Sequence, residues 1–363
     1  MRILTVDIAD EIAREMVERA DVELMSLARR QGVQTLVARE DSSWAFHYPA
    51  GSKLSWRARQ SVRRAILEFQ PDVVQAFLSR SIAHAVLATI GMPRPPKIVA
   101  FRGITTKLSR RDPANWITFL NPRIDGFACE SEAIRQAVIE SGIPAERCWV
   151  TYNGVASSSA GRRSRESILE QLNVPPEAFV VGTVAKMRRV KGMDLLLEAA
   201  IECSELRDVY WVLLGEVADP LVRKLAADPR IKDRVRLPGY LPEARKLISA
   251  ADLFVMPSRS EGLCRALLEA MDAGVCPVVS DAGGMKEVVR HGRDGLVFGR
   301  ESVAGMVEAI RTLYEDRELA ETYAASAKRR IAESFSCRQA AERMLGGFRR
   351  LLEKESPGSR RVA

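Results

Sequence analysis

Two glutamates with seven residues between them, Glu261 and Glu269, stand in a stretch suited to holding an anion beside hydroxyl groups. Ser258 to Gly284 (SRSEGLCRALLEAMDAGVCPVVSDAGG) reads as loop, helix, glycine stop, buried strand and glycine loop. Leu263, Ala266, Leu267, Ala270 and Met271 recur at helical spacing, and Gly274 falls where a left-handed residue ends a helix. Glu261 is then in the loop before the helix and Glu269 at the flank of its buried face. A helix start offers N–H groups and the positive end of the dipole, which suit a phosphate, while carboxylates accept hydrogen bonds from ribose or sugar hydroxyls. Together these residues point to a nucleotide-sugar site.

The elements that must position them alternate. At about 150 residues per domain, 363 residues favour two domains. Met1–Ile8 is a strand candidate, Ala9–Gln31 has helical apolar spacing up to the stop at Gly32, and Val33–Ala38 is a second strand candidate. Further strand candidates are Pro71–Leu78, Lys97–Phe101, Ile124–Cys129 and Cys148–Tyr152. After the polar linker Ser157–Arg165 (SSSAGRRSR) a second series follows at Phe179–Ala185, Val209–Gly215, Arg234–Leu237, Leu253–Met256 and Val275–Ser280. Strands alternating with helices imply an α/β class with parallel sheets, here two Rossmann-like domains with a cleft between them. Asp7 to Glu11 follow the first strand with no glycine-rich loop, which removes the main support for a dehydrogenase. Arg102 follows a strand, where open α/β sheets bind ligands; contact with an anion or sugar hydroxyl and pairing with a neighbouring acid are both open to it.

The formal charge of +8 invites an anionic partner without choosing one. Trp44 to Arg64 interleaves Trp44, Phe46, Tyr48 and Trp56 with Lys53, Arg57, Arg59, Arg63 and Arg64. From Leu54, a helix would gather Leu54, Ala58, Val62, Ala65, Ile66 and Phe69 on one face and arginines opposite. Residues 44–66 therefore read either as a contact with an anionic membrane or as a core helix with a solvated basic face. His47 reads as a loop residue. No apolar run approaches the ~20 residues of a bilayer span and no signal-peptide pattern opens the chain, so a cytoplasmic protein is expected, with peripheral contact at the cytoplasmic face. The six cysteines lack metal-ligand spacing, so reduced thiols and no metal site are expected. Basic residues are spread rather than held in a nucleic-acid motif, and no nucleic-acid partner is expected.

Several motifs in one order resemble the family-4 retaining glycosyltransferases. They are Tyr152-Asn153-Gly154-Val155; Val181 to Lys186 with Lys191-Gly192; Leu237 to Leu241; Asp252 to Gly262 with Glu269-Ala270-Met271, Gly274, Gly283-Gly284 and Glu287; and Asp294 to Val297. The resemblance is good over about residues 145–350 and confined to layout before them. It implies the GT-B architecture: an acceptor-side domain at 1–155, a donor domain at 156–335, a helix at 336–352 crossing back to the first domain, and a tail at 353–363.

The same resemblance implies roles. Lys186 and Lys191 would neutralise the departing diphosphate, Glu261 would meet sugar hydroxyls and the oxocarbenium-like centre, and Glu269 would accept from the ribose hydroxyls. Gly262, Leu263 and Cys264 would border the phosphate or sugar, and Gly239, Tyr240 and Leu241 the base. Arg102 is the acceptor-side catalytic candidate, while Arg188, Arg189 and Arg265 read as solvated helpers. The donor would be a nucleoside-diphosphate sugar, a UDP or GDP sugar, used without a cofactor or metal; the acceptor would be a surface glycan, lipopolysaccharide or lipid-linked sugar. Three positions depart from the pattern: Glu15-Met16 replace a glycine pair, Phe101-Arg102-Gly103 lacks a following histidine, and Ala156 replaces an aspartate. They motivate the other reading, a non-catalytic nucleotide-sugar-binding or scaffold protein.

Overall fold

Short apolar runs bounded by turns become strands buried on both faces, as the inner strands of parallel sheets must be. The computed structural model describes residues 1–6, 11–17, 22–27, 52–156 and 163–353. The chain divides into two units, Met1–Gly154 together with the segment from Cys337, and Val155–Ser336.

The first unit carries β1 (Arg2–Val6), β2 (Glu23–Leu27), β3 (Val73–Ala76), β4 (Lys97–Arg102), β5 (Gly126–Cys129) and β6 (Cys148–Val150) in the order β2-β1-β3-β4-β5-β6, every ladder parallel. Here one expectation is corrected. The helix foreseen over 9–31 is a helix at Glu11–Val17 followed by β2, paired with β1 from Arg2↔Glu23 to Val6↔Leu27. Val22, Leu24, Met25 and Leu27 are all buried, so sheet pairing has overridden a helical spacing that a short apolar run mimics. The strand expected at 33–38, the aromatic residues Trp44, Phe46 and Tyr48, His47 and most of the tail at 353–363 lie outside the described residues.

The helix Trp56–Phe69 starts at Ser55, whose side chain accepts from the Ala58 N–H, and buries Ala58, Val62, Ala65 and Ile66. Leu54, placed on that face by spacing alone, precedes the cap and is exposed, because Ser55 sets the first turn. At the other end of the chain stand two helices, Arg317–Ser334 and Cys337–Glu353, the second where a helix was expected at 336–352. The second belongs to the first unit, where Phe348 is fully buried and meets Trp149 edge to face at 6.2 Å between centroids.

The second unit carries β7 (Phe179–Val184), β8 (Val209–Leu214), β9 (Val235–Gly239), β10 (Leu253–Met256), β11 (Cys276–Ser280) and β12 (Leu296–Phe298). Their order is β12-β11-β10-β7-β8-β9, again all parallel, the doubly wound arrangement whose connections reverse direction between β7 and β10. Its first and last segments run together: the Val155 N–H donates to the Phe335 carbonyl at 3.0 Å, and Val155 bridges Ser336.

Candidate active site

Because β7 and β10 are neighbours at the point of reversal, the loops leaving their carboxyl ends converge there. The loop after β7 carries Lys186 and Lys191, and the loop after β10 carries Ser258, Arg259 and Glu261. Lys191 Nζ lies 2.6 Å from Glu261 Oε2, and Ser258 Oγ donates to the same oxygen at 3.1 Å. Their side chains are 22% and 12% exposed, so the pair is sheltered yet reachable.

Gly192 makes the approach of the two loops possible. It is left-handed at φ 71°, and a Cβ there would overlap the Pro257 carbonyl at the start of the opposite loop. The glutamate loop is held from its other side as well. Ser280 Oγ donates to the Ser258 carbonyl at 2.7 Å, and the Gly284 N–H donates to the Gly262 carbonyl at 3.0 Å. The glycine pair of the sequence motif thus acts through its backbone, as a rail for Gly262.

Immediately after this loop the helix Arg265–Ala273 begins and ends at Gly274 in the left-handed conformation, φ 86°. Its cap residue is Cys264, in extended backbone conformation. Leu263 and Cys264 are buried, and burial pushes the Cys264 thiol up to about 12, so it stays neutral. Glu269 accepts from Arg265 Nε at 3.0 Å, a partner that holds the carboxylate until something else takes it. Arg265 was expected to be merely solvated; it is half exposed and engaged with Glu269.

Lys186 pairs with Glu216, beyond β8, at 2.7 Å with both side chains more than half exposed. Such a pair contributes about 0–1 kcal/mol, so exchanging Glu216 for a phosphate costs little. On the far flank Gly239 ends β9, Tyr240 is 76% exposed and Leu241 is half-buried against the core of this unit.

Residues absent from the sequence reading brace this cluster. Arg259 donates to both oxygens of Asp194, at 2.8 Å each, and to the Arg189 carbonyl at 2.7 Å. Its own N–H donates to the Val190 carbonyl at 2.8 Å, and Glu301 accepts from Nε at 2.8 Å. Arg189, its side chain largely exposed as expected, also reaches Asp194 at 2.8 Å. Asp194 is 2% exposed; burial pushes its carboxyl up, but the Arg259 hydrogen bonds and the Arg259 and Arg189 charges hold it below the usual range. Asp194 sits in the first turn of the helix after Gly192, and that placement was the only signal in the sequence.

In the first unit Arg102 is 6% exposed. Its Nη2 donates to the Thr106 carbonyl at 2.7 Å and contacts the Thr106 hydroxyl at 3.1 Å, and the guanidinium lies 4.7 Å from the centre of the Phe119 ring. Burial pulls it down to about 10. Nη2 thus serves its own loop, while Nε, also buried, has no hydrogen-bond partner among the described residues. Asn153 of the boundary turn donates to Glu130, which follows β5. A recess at the carboxyl ends of β1, β3 and β4 presents Thr5, Gln75 and Asn153 among Met16, Phe77, Phe101 and Met344. Among the described residues no cluster could hold a metal ion, and all six cysteines are buried.

Comparison with known proteins agrees with this fold. The model for Glycosyltransferase Family 4 matches residues 8–158, and that for glycosyl transferases group 1 matches residues 164–330. In tandem they take in both units, and the chain belongs to this family of glycosyltransferases, with the GT-B pair of Rossmann-like folds. The sulfoquinovosyl transferase SQD2 of Arabidopsis thaliana is 27% identical over 277 residues, 72% of this chain and 54% of that protein, so the chain spans about half that relative's length. The lipopolysaccharide core biosynthesis glycosyltransferase LpsE of Rhizobium meliloti is 28% identical over 83% of this chain and 86% of its own. Among solved structures, Anabaena Alr3699/HepE in complex with UDP has a TM-score of 0.74 at 19% identity, covering 96% of this chain and all of that one.

Proposed function

We propose that the protein is a metal-independent retaining glycosyltransferase that moves a sugar from a nucleoside-diphosphate sugar to a surface-glycan, lipopolysaccharide or lipid-linked acceptor. The observation that carries this reading is the Lys191–Glu261 pair at the point of reversal between β7 and β10. A diphosphate drawn to Lys191 and Lys186 releases Glu261 to accept hydrogen bonds from the donor sugar. As the anomeric carbon–oxygen bond breaks, negative charge grows on the diphosphate beside two ammonium groups and the start of the helix Arg265–Ala273, where its stabilisation lowers the barrier. The acceptor oxygen bonds to the anomeric carbon on the face the diphosphate leaves, and the departing phosphate takes the acceptor proton. No protein base is required, which accommodates the absent histidine.

Glu269 accepts the ribose hydroxyls in this reading, and Gly239, Tyr240 and Leu241 border the base. The acceptor class follows the Rhizobium relative, and UDP, held by the Anabaena neighbour, is the first nucleotide to try. Thermal shifts against UDP, GDP, ADP and CMP rank the bases, since a ligand at about 100 times its dissociation constant stabilises by ~2.7 kcal/mol. With the matching donor sugar, NMR of the product reads the anomeric configuration, and EDTA tests the metal. Retained configuration and EDTA-resistant turnover, lost in Glu261→Ala and Lys191→Ala, are expected. Nucleotide binding with neither transfer nor donor hydrolysis in the parent protein would make it a nucleotide-sugar-binding protein instead.

A further inference from the structure

We propose, on the reading of Lys186 as a diphosphate cation, that Glu216 competes with the diphosphate for Lys186 and so drives the spent nucleoside diphosphate off the site. The parallel ladder of β7 and β8 runs on past the strand ends, Val184 and Leu214. The Ala185 N–H donates to the Leu214 carbonyl and the Met187 N–H to the Glu216 carbonyl, each at 2.9 Å, and Met187 bridges Val217. Continuing from Val184↔Leu214 to Met187↔Val217, the same register sets Lys186 opposite Glu216. Residues opposite one another in a ladder turn their side chains to the same face, and Lys186 Nζ lies 2.7 Å from Glu216 Oε2.

The backbone leaves that pairing little freedom. Gly215 has φ 132°, and a Cβ there would overlap the Ala185 carbonyl, so the two loops touch main chain to main chain. The Gly215 N–H donates to the Gly239 carbonyl at 2.8 Å, which fixes the same loop on its β9 side. An acid is thus placed by register, rather than by the swing of a long side chain, beside a cation assigned to phosphate. Lys191 and Arg265 are matched in a similar way, with Glu261 and Glu269. Those two carboxylates turn to sugar and ribose hydroxyls when a donor enters. Glu216 has no hydroxyl assigned to it, so it recovers a partner by returning to Lys186 as the phosphate departs. Both side chains of the Lys186–Glu216 pair are more than half exposed, and an exchange in water is shallow enough to reverse at every turnover.

Titration calorimetry on the full chain uses UDP, GDP, UMP and inorganic pyrophosphate. Glu216→Gln keeps the size of the side chain and removes its charge. It is expected to tighten pyrophosphate, and whichever nucleoside diphosphate binds, by about two- to fivefold, the range set by an exposed pair. Dissociation of that nucleotide in stopped flow should slow by a similar factor, and UMP should gain less. In a Lys186→Ala background the same substitution should change affinity by less than about twofold, because the contested cation is gone. Product inhibition by the nucleoside diphosphate should deepen in Glu216→Gln. A residue that serves only to hold the fold would lower affinity when changed. The proposal is overturned if Glu216→Gln binds these ligands as the parent does or more weakly, or if its gain survives intact in Lys186→Ala. A parent that binds neither pyrophosphate nor any of the nucleotides would overturn the proposed function and this proposal together. Nucleotide binding without transfer would overturn the transferase reading alone, and the affinities would still decide on Glu216.

Discussion

Arg259 holds Asp194 with both oxygens engaged at 2.8 Å, joining the loop after β10 to the first turn of the helix behind the lysine loop. Asp194 is nearly inaccessible, so removing Arg259 leaves its buried charge to Arg189, a loss of about 1–3 kcal/mol. Arg259→Lys keeps the charge but not the two-pronged grip, and a small displacement of Lys191 and Glu261 is expected to slow transfer about ten- to a hundredfold. The Asp194 carboxyl is held low in the folded state, so its stabilisation is complete above the ordinary value of ~3.9 and disappears as pH falls through that value and then the folded one. Urea melts of Asp194→Asn and the parent should differ at neutral pH and converge in acid. A gap that persists at the lowest pH would sink the ion-pair account.

Gly192 and Gly274 are both left-handed, but only Gly192 faces an obstacle. Gly274→Ala meets nothing nearer than the Lys328 side chain at 3.9 Å and is expected to cost about 1 kcal/mol in backbone strain. Gly192→Ala adds overlap with the Pro257 carbonyl and should cost at least 2–3 kcal/mol, on the order of 5 °C or more in Tm. Calorimetry of the two variants checks the order, and equal losses would count against the close approach of the loops.

Arg265 and Glu269 are expected to separate when a nucleotide binds. Glu269→Ala should weaken a nucleoside diphosphate about tenfold or more, the loss of hydrogen bonds to a charged group, and leave pyrophosphate nearly unaffected. Titration calorimetry with both ligands decides; an equal loss for pyrophosphate would move Glu269 away from the ribose.

Burial pushes up the thiols of Cys148 and Cys203, to about 11, and of Cys264 and Cys276, to about 12. Unfolded thiols ionise near ~8.5, so the fold keeps its full stability below that pH and loses it as pH rises toward the folded values. Ellman's reagent should find the native thiols slow to react, and urea melts above about pH 9 should show falling stability. Fast labelling at neutral pH would contradict the burial.

The helix–glycine–strand run from Arg265 to Ser280 was legible because its periodicity changes at Gly274, and burial follows that change. β2 was not, because four buried apolar residues within Val22–Leu27 fit a helix as readily as a strand covered on both faces. Lys191 and Glu261 were legible as motif members, whereas the partnership of Asp194 and Arg259 joins residues 65 positions apart through the neighbouring of β7 and β10. The surroundings of Arg102 were illegible for a similar reason: Phe119, which packs against it, and Thr106, which accepts from it, are neighbours known only from the fold.

The meeting of Val155 with Phe335 and Ser336 makes the second unit a portable piece of chain. A continuous segment whose two ends already touch can be cut out, closed with a short linker or set into another host without stretching its own backbone. Residues 155–336 carry Lys186, Lys191, Glu261 and Glu269, so under the function proposed above a graft of that segment would carry the choice of nucleotide with it and leave the choice of acceptor to its host.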